Sequence, residues 1–291
     1  MNDNYLQGLF PAMPNAEYHG NHPHIGSSGF KLLERSPAHY WAANIDPDRE
    51  RKEATPLMKI GTAWHTAIFE PERFDAEYIQ IPAGIDRRTK EGKALWEELQ
   101  ASGKEPLTAD GWAQIVGMAA AARAHPVTGV IFAQPGGMAE ASFFWVDDET
   151  GAPCRIRPDY AVPPCELFPN GLIIDGKSND DSSHEGFARN AWNSEMYFQA
   201  AFYSDGMQRL WKTQEPPAFI WMSQERERPY ATAYYAAGAD LVAYGRKQYR
   251  RLLRTFAQCL HTGQWPGYPP VVQPLELPAW AAKQVREEVA A

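Results

Sequence analysis

Two short segments place together residue types suited to metal-assisted hydrolysis of a phosphate ester. Asp159, in Arg157-Pro158-Asp159, is followed sixteen residues later by Asp175 in Asp175-Gly176-Lys177. The apolar runs around both segments predict adjacent strands, which would bring two carboxylates and an ammonium to one sheet edge. Two carboxylates held together repel, and near neutral pH they are tolerated mainly when a hard divalent cation bridges them. Mg2+ suits such a place, because it prefers carboxylate oxygens and water. Asp175 and Lys177, two apart on a strand, point to one face. Lys177 can therefore orient an attacking water and offset charge growing on the phosphate. Gly176 points the other way and leaves its carbonyl free as a further metal ligand.

Other segments offer partners. Glu140 opens the preceding predicted strand and could supply a third acid. Gln199 and Tyr203, in MYFQAAFYSDG, are four apart and share a helix face. In PLMKIGTAWHTAIFEP, residues Leu57, Ile60, Trp64 and Ile68 form a helical stripe that stops at Pro71, with His65 beside it. Taken singly, these have plain structural readings: a surface carboxylate, a packing face, a histidine on an amphipathic helix.

The elements that must position these groups follow from periodicity and breakers. Ser27 and Ser28 are N-cap candidates ahead of a helix that Pro37 interrupts or restarts. Helices are predicted at 89–101 and 108–124, a hairpin turning at 147–151, and a buried strand in GLIIDGKS. Helices at 183–192 and 195–212, strands in PAFIWMSQE and PYATAYYAA, and a helix at 238–262 complete the pattern. This order predicts an α/β fold, a mixed central sheet flanked by helices, with a helical N-terminal part. The 291 residues read as a single domain over 18–265 between an N-terminal tail, 1–17, and a C-terminal tail, 266–291.

Composition narrows the chemistry. The three cysteines, Cys154, Cys165 and Cys259, form no CxxC pair, which argues against a disulfide framework, a thiolate zinc cage or an iron–sulfur cluster. No segment matches a phosphate-cradling GxxxxGK[ST] loop. Neither an apolar run of membrane-spanning length nor a signal peptide is visible, so the cytoplasm is the expected compartment. With 28 Lys and Arg against 36 Asp and Glu, the net charge of −8 argues against nucleic-acid binding over the whole surface.

The ordered set of motifs nevertheless resembles a family. Pro158-Asp159 with Asp175-Gly176-Lys177 resembles the PD-(D/E)XK nuclease superfamily, whose core is restriction-endonuclease-like. The Gln199 and Tyr203 pair looks like the QxxxY element of RecB-like and phage exonucleases, and GTAWHTAIFEP resembles their GTxxHxxxxEP segment. Together with YHGNHPHIGSSGFKLLERSPAHYWA, they are similar to the nuclease domain of exonuclease VIII, the RecE type, from about Tyr18 to residue 262. The resemblance implies an exonuclease using Mg2+, with Mn2+ as an alternative, and two ions. Such an enzyme degrades one strand of linear duplex DNA from its 5′ end and leaves a 3′ overhang. It also implies a single-strand annealing partner of RecT type, a ring-like homo-oligomer and a phage or prophage origin.

By the same resemblance, Asp159 and Asp175 are metal-binding acids and Lys177 is the catalytic lysine. His65 and Glu140 are additional site residues near a metal or the scissile phosphate, and Gln199 and Tyr203 line the site. Gly176 departs from relatives, which often carry a larger apolar residue there. The chain lacks the long N-terminal extension of some RecE proteins and is expected to be a free-standing nuclease. Two rival readings keep part of this picture: a RecB-like or CRISPR-associated nuclease of other polarity, and a DNA-end-binding protein without catalysis.

DNA contacts are expected from Arg87, Arg88 and Lys90 in a loop, and from Arg246, Arg250 and Arg254 along one helix face. His19, His22 and His24 read as a polar loop, because nothing completes a zinc ligand set. Trp64, Trp96, Trp112, Trp145, Trp192, Trp211 and Trp221 read as core.

Overall fold

The computed structural model describes residues 5–20, 23–49, 55–86, 88–278, 281, 282, 285, 286 and 289. His22, Arg87 and the Leu57 side chain lie outside the described residues. The chain begins with β1 (Gly8–Phe10), α1 (Asn15–Tyr18), α2 (Ser27–Arg35), α3 (Pro37–Asn44), α4 (Pro56–Phe69) and α5 (Pro71–Glu77). It continues with β2 (Tyr78–Gln80), α6 (Lys90–Ala101), β3 (Glu105–Leu107), α7 (Ala109–Ala124) and α8 (Pro126–Phe132). Then come β4 (Met138–Ala139), β5 (Ser142–Val146), β6 (Pro153–Ile156), β7 (Tyr160–Val162) and β8 (Leu172–Asn179). Last are α9 (His184–Asn193), α10 (Tyr197–Trp211), β9 (Ala218–Glu225), β10 (Thr232–Ala236) and α11 (Ala239–Thr262).

Helix starts follow local chemistry. Ser36 caps α3 and Thr55 caps α4, each ahead of a proline whose missing N–H costs nothing at the first helical position. Thr89, Thr108 and Ser183 accept from the third following amide and set the starts of α6, α7 and α9. For α2 the cap is Gly26 rather than Ser27 or Ser28, and Ser27 is already helical. Its hydroxyl turns instead to Tyr203.

The central sheet has the order β10-β9-β8-β7-β4, with β8 and β9 parallel and the other pairs antiparallel. Side chains alternate across it. Ile173, Phe219 and Trp221 enter a core with α2, α3, α10 and α11, whereas Leu172, Ile174 and Met222 enter one with α4, α5, α7 and α8. Residues 175 and 177 continue the first face, and 176 the second. Each fully buried Phe or Ile in these layers contributes roughly 1.5–3 kcal/mol of transfer free energy. The fold is the mixed α/β, restriction-endonuclease-like sandwich expected.

Three details differ from expectation. The hairpin of β5 and β6 leaves the central sheet and forms a separate one with β1, whose residues 8–10 lie inside the stretch read as a tail. The expected strand through residue 159 breaks between β6 and β7, where Pro158 has no N–H for the ladder and the chain crosses between sheets. Trp192 is 55% exposed and is not part of the core, because α9 buries Phe187 and Ala191 instead.

Candidate active site

Strand register brings the two acids together. β7 pairs with β8 through Tyr160 opposite Ile174, so one further step sets Asp159 against Asp175. The Gly176 N–H donates to Asp159 Oδ2 at 2.6 Å. In an extended strand a residue's N–H and C=O face the same edge, so the Gly176 carbonyl also looks toward Asp159. On the other face Lys177 Nζ is ion-paired with Asp175 Oδ2, and Gln199 Nε2 of α10 donates to Asp175 Oδ1. Asp175 is 1% exposed, so these partners carry most of its solvation.

His65 arrives from the opposite layer. Its Nδ1 lies 3.1 Å from Asp159 Oδ2. Helix α4 can come this close because residue 176 has no side chain: a Cβ there would sit 3.0 Å from Trp64, 3.2 Å from Phe69 and 3.3 Å from His65. Trp64 Nε1 donates to the buried Gln224 Oε1 at 2.7 Å, and the Gln224 amide donates to the Met118 carbonyl and Thr232 Oγ1, each at 2.9 Å. This chain of bonds ties α4 to β9 and fixes where His65 stands.

Glu140 does not open a strand. It lies between β4 and β5 in the left-handed region, with φ +50°, and its N–H donates to the Asp159 carbonyl at 3.2 Å. A non-glycine residue held there is strained, and the kink accompanies the entry of its carboxylate into the site. One ligand atom each from His65, Glu140 and Asp159 lies within 4.8 Å of the other two. Octahedral Mg2+, with ligands at about 2.1 Å, separates them by about 3 Å in cis and about 4.2 Å in trans. The donor set therefore fits one divalent ion with small closure. Asp175 is not in this cluster; Lys177 and Gln199 occupy it.

Electrostatics support the fit. Burial, and then the Asp159 carboxylate, push Glu140 up to about 8. Burial raises Asp175 to about 6 against the pull of Lys177. Burial opposes charge on Asp159 too, but His65, Lys177 and the Gly176 amide outweigh it and hold this carboxyl below its ordinary value. For His65, burial is likewise overcome by Asp159, so the imidazole is pushed up. Burial disfavours the Lys177 ammonium, and Asp175 and Asp159 overcome that. The site thus crowds acids that repel unless a proton or a cation sits among them.

Tyr203, one turn beyond Gln199, is buried and shares hydrogen bonds with Tyr18 and Ser27; burial pushes its hydroxyl up, and the charges of Asp175 and Asp159 add to the shift. Tyr18 lies under Arg155 and Arg157, whose guanidinium carbons are 4.8 and 4.1 Å from its ring centre. Arg157 donates to Ser142 Oγ and the Met13 carbonyl, and its charge acts on Glu140. Sequence reasoning assigned none of these supporting roles to Tyr18, Ser27 or Arg157. Glu70, read only as the end of a motif, is ion-paired with Arg73 and is close enough to raise Glu140 further.

The expected DNA-contact arginines have other partners. Arg246 bonds Asp205, Arg250 bridges Asp147 and Glu149, and Arg254 also bonds Glu149. This face of α11 is neutralised by its own fold and offers no net positive strip. Arg88 pairs with Asp86, while Lys90 is exposed at the start of α6.

Comparison with known proteins agrees with the geometry. A solved structure of a "Putative exonuclease" from Eubacterium rectale is similar at TM-score 0.54 and 14% identity, covering 91% of this chain and 96% of that one. At that identity the likeness speaks for the fold alone. A second structure, SSO0001, shares 11% identity over 68% of this chain and 86% of its own, at TM-score 0.29. Among curated proteins the sequence finds no match. The profile of the PDDEXK-like domain of unknown function (DUF3799) matches residues 26–273, which include every acid of the site. Since that match spans most of the chain, the protein belongs to the DUF3799 family of PDDEXK-like domains.

Proposed function

We propose that this protein is a divalent-metal-dependent exonuclease of RecE type, acting on linear double-stranded DNA from the 5′ end. One observation carries the nuclease reading: Asp159, Asp175 and Lys177 converge at one sheet edge while His65 and Glu140 close on Asp159 from another side. His65, Glu140 and Asp159 would hold one ion, with the Gly176 carbonyl facing the same edge; a second ion, beside Asp175, rests on the motif resemblance. Mg2+ or Mn2+ bound there supplies Lewis-acid polarisation of the phosphate.

The chain's own residues do the rest. Lys177 orients the attacking water and offsets charge on the phosphate. Gln199 holds Asp175 so that its other oxygen faces Lys177. Trp64 and Gln224 hold the helix that carries His65. The 5′ polarity, the RecT-type annealing partner and the ring-like homo-oligomer rest on the motif resemblance. Among the described residues no single helix is long and apolar enough to cross a membrane.

The test uses linear duplex with a 5′ phosphate, labelled at either end, with Mg2+ and wild-type or Lys177→Ala protein. Progressive loss from the 5′ end with wild type alone supports the reading. Cutting of closed circular DNA, loss from the 3′ end, or equal activity in Lys177→Ala would each count against it.

A further inference from the structure

The indole of Trp192 lies on the surface, in the last turn of α9, and does not serve the core. A lone exposed apolar ring needs no explanation. This one belongs to a group: its centroid is 5.6 Å from Tyr197 and 5.5 Å from Tyr244, and those two are 5.0 Å apart. Tyr197 is buried and fixes the arrangement, whereas Tyr244 is 39% exposed and shares the open side.

The group adjoins a cavity of about 340 Å³ whose lining includes Ser27, Lys31, Lys177, Ser194 and Gln199. A single residue, Asn193, separates Trp192 from Ser194, and Tyr197 sits between two further lining residues, Met196 and Phe198. Lys31 Nζ donates to the Ser194 carbonyl, so an ammonium is anchored at the rim next to the aromatic group. Lys177 stands at the inner wall. Glu195 is the opposing carboxylate on this lining, and nearby Glu34 is engaged by Arg251.

Cations that take phosphates, beside an open aromatic face that takes a base, are the two parts of a single-strand binding surface. Bases offer that face only when unpaired, so a duplex would not use it until an end had opened. We propose that Trp192, backed by Tyr197 and Tyr244, is a nucleobase-stacking platform holding single-stranded DNA at the mouth of the Lys177 cavity. The proposal rests on the nuclease reading above and adds the part of the substrate that is gripped.

The experiment compares binding of a short oligothymidylate, an abasic strand of the same length and a blunt duplex, with Ca2+ replacing Mg2+. Full-length wild type, Trp192→Ala and Trp192→Phe are used, with melting curves to compare folding. Stacking predicts that wild type prefers the thymidylate over the abasic strand by about tenfold, that Trp192→Ala binds both alike, and that Trp192→Phe keeps most of the preference. Retention of the full preference in Trp192→Ala, or no preference in wild type that still binds the duplex, overturns the platform and leaves the nuclease reading standing. Wild type that binds none of the three DNAs overturns both.

Discussion

Gly176 and His65 meet on one face of the sheet: a Cβ on Gly176 would lie 3.3 Å from His65 Cε1, with Trp64 closer still at 3.0 Å. The absent side chain is therefore what lets α4 carry its imidazole to Asp159. Gly176→Ala asks buried rings to give by a few tenths of an ångström, and Gly176→Val asks for more. Overpacking of this kind costs about 1–3 kcal/mol. The expected outcome is a lowered melting temperature and a larger loss of cleavage, graded from Ala to Val, with weaker divalent-ion affinity. Calorimetric titration of Mn2+ checks it, and unchanged affinity in both variants would disprove the link.

Lys177 and Asp175 give a second expectation. Asp175 is buried, and its Oδ2 depends on the Lys177 ammonium. Lys177→Ala should lower the cleavage rate by about 10²–10³-fold, the usual cost of removing one charge-stabilising donor. The fold should survive, because burial already favours a protonated Asp175, and duplex binding should change little. Lys177→Arg should not rescue the rate, since a planar guanidinium cannot reproduce a compact ammonium beside Asp175. Single-turnover cleavage and binding, measured separately, distinguish this from general loss of affinity.

Much of this site was legible in the sequence because its spacing is local. Asp175 and Lys177 share a strand face, and Gln199 lies where an α10 turn reaches that face. What stayed hidden depends on tertiary approach. Gly176 read only as a departure from relatives, because no local pattern shows that Trp64 and His65 press on it. The left-handed turn at Glu140 and the crossing at Pro158 interrupt what alternation reads as continuous strands. The arginines of α11 recur every four residues as a DNA-binding face would, yet Asp147, Glu149 and Asp205, distant in sequence, decide their use. Trp192 has core chemistry and a surface position, which periodicity alone cannot separate.

The acids predict a linkage between pH and metal. Glu140 is raised from 4.5 to about 8, and Asp175 from 3.8 to about 6. Between those values the folded metal-free protein holds protons that the unfolded chain has released, so its stability falls as pH rises through the window. A cation replaces those protons and is bound more tightly as pH rises. The increase in melting temperature on adding Mn2+ should therefore be larger near pH 8.5 than near pH 6. Glu140→Gln should flatten this dependence, and an equal increase at both pH values in wild type would contradict it.

The α11 arginines supply the last expectation, and here fold and DNA binding make opposite demands. Arg250 Nη1 bonds Asp147 Oδ2 at 2.5 Å, and its other nitrogen reaches Glu149; the Asp147 side chain is only 11% exposed. Removing Arg250 leaves a mostly buried carboxylate without its charge partner, which costs about 1–3 kcal/mol. Arg254, more exposed and bonded to the exposed Glu149, should cost less than Arg250 does. If instead these groups neutralised phosphates, each alanine would lower duplex affinity and shallow its salt dependence by about one unit of slope. Arg250→Ala should thus lower the denaturation midpoint while leaving the slope of log affinity against log salt unchanged. A reduced slope with unaltered stability would return this helix to the DNA path.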